Sequence, residues 1–231
     1  MRAYISRFTP ELAPKSGFRR VIFSILGVSL GLSLCLSMSA HADDQARSLP
    51  VFTSIKSKGA CTVLVEVGKA QSIVVTGDEK FIANVVTEVV GDDLVISFRE
   101  NKSFTLSDAA QVMISLPVLN KVSMEGVGNT TINNVSGARL DLAYKGTGVL
   151  RANGKVKFLS LRAEGVGLVD TKNLLAEQVD VSLQGVGAVK VFASERLTAS
   201  VQGIGSLRYY GAPHSISKSV EGIGRVSAGD W

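Results

Sequence analysis

A chain of 231 residues, 45% of them apolar, has enough material for one sizeable domain with a real core. Its formal charge of +5 suggests an affinity for nucleic acid or anionic lipid, but that charge is unevenly placed. Residues 1–42 hold five of the 25 Lys and Arg and a single acid, Glu11, which leaves 20 basic and 19 acidic residues in the remainder and excludes a nucleic-acid footprint.

The first 42 residues have the three parts of a secretory leader. Arg19-Arg20 end a positive segment, residues 21–38 are apolar and uncharged, and Ala40-His41-Ala42 offers a small-x-small cleavage site before Asp43. An uncleaved membrane anchor is the rival reading, because the apolar stretch is near the ~18-residue lower bound for spanning. Its Ser and Gly content and the Ala-x-Ala exit favour a signal peptide over 1–42, export, and no transmembrane segment after cleavage. Cys35 then leaves with the leader, and Cys61 is the only cysteine in the mature chain. No intramolecular disulfide is possible, so burial and backbone hydrogen bonds must hold the fold. Cys61 lies in a strand-like run and is expected to be a small buried apolar residue.

Residues 43–50 are polar and read as a short flexible lead-in to a domain over 51–231. From 51 to 122 the signal is strands separated by turn chemistry, with candidates at 51–56, 61–67, 72–76, 84–90, 94–98 and 112–116. No helix of ten or more residues is suggested after the leader, so the mature chain is expected to be all-β.

Over about 122–227 a Gly-x-Gly unit recurs six times, at Gly126 and Gly128, Gly146 and Gly148, Gly165 and Gly167, Gly185 and Gly187, Gly203 and Gly205, and Gly222 and Gly224. The first glycines are 18 to 20 residues apart, which marks a repeat architecture. Stacked on the first glycine, the positions six, four and two residues before it are almost all apolar, from Leu140, Leu142 and Tyr144 to Leu197, Ala199 and Val201. The intervening position is Ser in four of the six repeats. Such alternation means a strand with one buried face. A unit of about 19 residues cannot bury that face alone, so parallel stacking into a β-solenoid is expected, with the strand-rich part over 51–122 in the same domain. Each glycine pair marks a bend, where the chain needs positive φ or a close backbone approach. Strict alternation points Val127, Val166, Val186, Ile204 and Ile223 outward as an apolar stripe, whereas a corner between the glycines points them inward; both arrangements remain open at this level.

The repeat does not carry nucleotide chemistry. A dinucleotide fingerprint needs a third glycine and a following helix, but Thr131, Arg151, Asp170, Lys190, Arg208 and Ser227 occupy the third position. Calcium-binding nine-residue repeats and hexapeptide helices have other periods. His214 is the only histidine left after the leader, which argues against a histidine-rich metal site or a Ser-His-Asp arrangement, and no cofactor is expected.

The recurring Glu/Gln-Gly-Val/Ile-Gly units, the stretches Val74-Val75-Thr76-Gly77-Asp78 and Gly91-Asp92-Asp93-Leu94-Val95-Ile96, and the late Tyr210-Gly211-Ala212-Pro213 resemble the head GIN domain family, named for autotransporter adhesin heads of bacterial envelopes. The resemblance covers roughly 50–227. It implies a right-handed parallel β-helix in the periplasm or at the cell surface, and brings no catalytic residues with it.

Two polar columns remain. Glu125, Lys145, Glu164, Gln184, Gln202 and Glu221 precede the glycines, and stacking would set Lys145 between two glutamates in an ion-pair ladder. Arg151, Asp170, Lys190 and Arg208 form a mainly basic stripe, the candidate binding residues for an anionic glycan. The expectation is a non-enzymatic envelope module for adhesion or interaction, with an envelope protein or glycan as partner and self-association through an exposed end coil as a third reading. The alternative is a polysaccharide-binding or polysaccharide-active β-helix.

Overall fold

The computed structural model describes residues 43–99 and 110–230, so the expected leader lies outside the described residues. The chain is all-β: β1 (Asp43–Ala46), β2 (Ser54–Ala60), β3 (Thr62–Val67), β4 (Ser72–Gly77), β5 (Val85–Val90), β6 (Asp93–Phe98), β7 (Gln111–Leu116), β8 (Lys121–Tyr210) and β9 (Ser215–Ala228), with one six-residue helix, α1 (Glu79–Asn84), among the described residues. The six strands expected between 51 and 116 are all present, with differences confined to their ends.

The segment expected as a flexible lead-in is held in place instead. β1 pairs antiparallel with β4, from Asp43 opposite Gly77 to Ala46 opposite Val74. Gln71 Nε2 then donates to the carbonyls of Leu49 and Pro50 at 3.1 and 2.9 Å, while its Oε1 accepts the Phe52 amide at 3.3 Å. Arg47 Nη2 donates to Ile82 O at 3.1 Å, setting a positive charge at the C-terminal end of α1. All four β1 side chains are exposed, so the strand leaves no hydropathy signal; backbone pairing holds it, helped by Thr76 Oγ1, which donates to Asp44 Oδ1 at 2.6 Å. At its other end α1 begins at Asp78, whose Oδ1 accepts the Phe81 amide at 2.7 Å. The buried Phe81 ring packs against Phe98 with centroids 6.1 Å apart.

One hydrogen-bonded path runs β1-β4-β7-β3-β8-β2-β6-β5, with β9 on β8. β2 lies between β6 and the start of β8, parallel to both, so Ile55 has Leu94 on one side and Val122 on the other. β3 lies likewise between β7 and the next part of β8, where Val63 meets Val112 and Thr130. The chain therefore inserts an early layer, β2 and β3, between two later ones. Antiparallel β5 on β6, and β4 on β7, finish this end.

Strand β8 is 90 residues long and would span about 300 Å if straight. It returns on itself instead. Gly146 stands against the backbone of Gly126, Gly165 against Gly146, Gly185 against Gly165 and Gly203 against Gly185, and Gly222 of β9 stands against Gly203. β9 runs parallel to β8 in register from Arg196/Ser215 to Tyr209/Ala228. The apolar columns meet inside: Leu140, Leu159, Val179 and Leu197 are fully buried, as are Ile55, Leu94 and Val122, in one continuous core. Each such burial contributes about 1.5–3 kcal/mol, and this core replaces any need for a disulfide. The same columns open up in β9, where Ile216 and Val220 are exposed.

Candidate functional site

Alternation runs through the glycine pairs without a break. Val122, Met124, Thr130 and Ile132 are buried, and so are Leu159, Leu161, Ala163 and Val169. The residue between the glycines therefore points out: Val127, Val166, Val186, Ile204 and Ile223 are 47 to 78% exposed, and Thr147 continues the column. This decides between the two orientations the sequence allows.

The two glycines of a unit are required for different reasons. Gly146 has φ of 144°, and a Cβ built there would lie 1.8 Å from Gly126 O. The first glycines all take positive φ, which bends the chain without swapping its faces. Of the two reasons expected for the glycines, positive φ and close approach, the second members of the pairs divide between them. Of the second glycines only Gly128 and Gly148 have positive φ; Gly167, Gly187, Gly205 and Gly224 do not. Close approach alone selects glycine there, and its character changes along the stack. A Cβ on Gly167 would lie 2.2 Å from Gly148 O, and one on Gly187 would lie 2.2 Å from Gly167 O. At Gly205 and Gly224 the nearest obstacle is a side chain instead: Leu183 Cδ2 at 2.7 Å and Val201 Cγ1 at 2.8 Å. The backbone below Gly224, at Gly205 O, is 3.3 Å away, so the glycine-on-glycine contact has loosened by the last unit.

Gly59-Ala60-Cys61, which begins in β2, is a further, degenerate unit beneath Gly126 and Gly128. It was hidden because cysteine replaces its second glycine and 67 residues separate it from the next unit in chain order. Burial raises the Cys61 thiol pKa, partly offset by Ser57 Oγ at 3.4 Å.

Beside the aliphatic column runs the exposed polar one, Glu125, Lys145, Glu164, Gln184, Gln202 and Glu221. The expected ion-pair ladder does not close: among the described residues no ion pair joins Lys145 to either glutamate, whereas Gln202 Nε2 donates to Glu221 Oε2 at 3.3 Å. Long solvated side chains gain too little from pairing to be fixed there. On the other side Val149, Leu168 and Ala188 are half-buried and broaden the apolar strip.

Of the candidate binding residues, the structure brings two together. Lys190 Nζ lies 3.2 Å from Asp170 Oδ2, so the middle of the stripe is neutralised. Arg151 and Arg208 are exposed and make no ion pair among the described residues. His214 is exposed in the turn before β9, apart in character from the buried Cys61. No group of three His, Cys, Asp or Glu among the described residues could hold a metal.

A polar network escaped the sequence reading. Glu66 on β3 accepts from Asn133 Nδ2 at 2.6 Å and Asn134 Nδ2 at 3.2 Å. Asn153 donates to Asn133 Oδ1 at 2.6 Å and accepts the Asn134 amide at 2.9 Å. Asn134, with φ of 61°, is the only non-glycine at positive φ among the described residues. Asn133 and Asn153 share one offset from their glycine pairs, which was the available signal. These bonds lash neighbouring strands together, and Lys69 Nζ adds an ion-pair contact to Glu66 Oε2 at 3.8 Å. Two voids beside the glycine columns are only about 10 Å³ each, and Tyr144 lines both. A surface groove of about 330 Å³ lies between 46–49 and 71–74. No helix among the described residues is long and apolar enough to cross a membrane.

An adhesin from Bacteroides fragilis, described as putative, is similar at 25% identity with a TM-score of 0.67, over 82% of this chain and 98% of that one. A protein from Parabacteroides distasonis titled "putative lipid binding protein" is similar at 19% identity with a TM-score of 0.46, over 82% and 97% of the two chains. Among curated proteins none matches. The family model "Putative auto-transporter adhesin, head GIN domain" matches residues 51–213, most of the described chain, and the protein therefore belongs to the head GIN domain family.

Proposed function

We propose that this protein is an exported, non-enzymatic envelope module that works by adhesion or interaction, built as a right-handed β-solenoid of about 19-residue coils. The leader is cut before Asp43, and the mature domain acts in the periplasm or at the cell surface. Family membership supports the adhesion-like role. The return of β8 onto its own backbone every 18 to 20 residues supports the solenoid. The observation that carries the function is the outward aliphatic column: five Val and Ile side chains held in line by glycines, where a soluble fold gains nothing from exposing them.

The test is binding of the purified protein to isolated cell envelopes and to a glycan array. Val186→Asp combined with Ile204→Asp is expected to lower envelope binding at least about tenfold with an unchanged circular dichroism spectrum, because both sites are exposed. Unchanged binding would remove the stripe from the reading. Loss of glycan binding on reversing Arg151 and Arg208 to Glu would move the site to the basic column instead.

A further inference from the structure

The aliphatic stripe has a feature that constrains its occupant. We propose that it docks a second copy of this chain, stripe against stripe with the coil axes antiparallel. This rests on the coil and stripe readings above.

Stacked strands repeat every ~4.8 Å, so the stripe presents one aliphatic side chain at that interval, whereas same-face side chains of an extended peptide repeat every ~6.8 Å and fall out of step within a few residues. Another stack of strands repeats at the same interval and stays in step with it, as paired sheets do. The stripe is Val127, Thr147, Val166, Val186, Ile204 and Ile223, with no aromatic face for a sugar ring.

Charge selects the arrangement. Lys145 is the only cation in the flanking column, and it is exposed without an ion pair among the described residues. A two-fold axis at Val186, lying in the interface and across the coils, sets Val186 on its own counterpart, Val166 on Ile204 and Thr147 on Ile223. Lys145 then faces Glu221 of the other copy, twice by symmetry, and Glu164 faces Gln202. Full overlap of all six units would instead oppose Glu125 and Glu221, which is unfavourable. The isologous arrangement closes at two copies.

Area sets the strength. The two-fold at Val186 overlaps five of the six stripe residues, so four intervals make the contact about 19 Å long and roughly 10 Å wide, on the order of 200 Å² per copy, against about 800 Å² per partner in a stable interface. The contact is therefore weak in free solution and gains by avidity where copies are crowded on one surface.

Sedimentation equilibrium of the purified protein from about 10 μM to about 1 mM should show a reversible monomer–dimer equilibrium in the upper part of that range. Val186→Asp should weaken it at least about tenfold. Lys145→Glu should weaken it too, and adding Glu221→Lys to the same chain should restore it. Val186→Cys should give a disulfide-linked dimer under oxidising conditions, with Cys61 buried and silent, whereas Asn129→Cys should not. A monomer at every concentration, or a dimer indifferent to Val186→Asp, overturns the proposal. If the protein stays monomeric while Val186→Asp still abolishes envelope binding, the second copy is wrong and the interaction module stands; if both readouts are unmoved, both fall.

Discussion

The two ends of this molecule are stabilised by different means. Apart from β2 and β3, which join the stack, the chain from β1 to β7 uses ties that each occur once, such as Gln71 to the 49–52 backbone, Arg47 to the end of α1, and Asp78 to its first turn. From β8 to β9 one rule is applied again and again, with glycine on glycine and aliphatic on aliphatic. Unique ties fail locally. A repeated rule fails along the stack, because each turn of chain is the bed for the next.

The largest expected effect comes from breaking that rule. In Gly146→Ala the new Cβ would fall 1.8 Å from Gly126 O, and backbone cannot move aside without displacing its own neighbours. Gly68 also has positive φ, at 87°, but nothing lies within 4 Å of a Cβ there. Gly68→Ala should therefore cost only the conformational strain, about 1–2 kcal/mol. Gly146→Ala should cost well beyond that, on the order of 4 kcal/mol or more, and leave little folded protein. Urea unfolding of both variants checks this; equal losses would mean that strain, not close approach, selects the glycines.

A smaller contrast lies within a single column. Leu140 is fully buried, whereas Ile216, in the equivalent place on β9, is 42% exposed. Leu140→Ala should cost about 2–5 kcal/mol by lost transfer energy and the void it leaves. Ile216→Ala should cost about 1 kcal/mol, since much of that side chain is already in water. Comparable losses would show that β9 is covered in solution.

How much of this was legible beforehand follows from the same division. The apolar columns from Leu140 to Leu197 could be read directly, because each position repeats and a lone exception stands out. The orientation of Val127 and its equivalents could not, since alternation through a glycine pair depends on φ, and glycine permits either sign. For the same reason the sequence could not separate Gly146, which bends, from Gly187 and Gly224, which only make room. The degenerate unit at Gly59 was obscured by the inserted strands β4 to β7, and β1 by side chains that all face water. The basic column was visible as residue types, yet only the geometry pairs Lys190 with Asp170.

At the irregular end, Asp78→Ala removes the N-cap acceptor of α1, whose bond to the Phe81 amide is 2.7 Å. The expected cost is about 1 kcal/mol. Because α1 is a single short element packed through Phe81, the loss should be local: hydrogen exchange at the Phe81 and Ile82 amides should speed up while Leu159 and Val179 keep their protection. Faster exchange throughout the repeat would show that this end nucleates the stack.

The smallest effect is expected where the repeat carries charge. Asp170 and Lys190 meet at 3.2 Å with side chains 18 and 31% exposed, so water screens much of their attraction. A double-mutant cycle with Asp170→Asn and Lys190→Met should give a coupling below about 1 kcal/mol, declining further in about 1 M salt. Asp170→Asn keeps an oxygen for the Lys172 amide, now 3.3 Å from Oδ1, so the cycle isolates the ion pair. A salt-insensitive coupling above about 2 kcal/mol would mean that the outer columns help specify register. The small value expected instead assigns register to the glycines and the inner aliphatics, and leaves the outer face free to vary with whatever it binds.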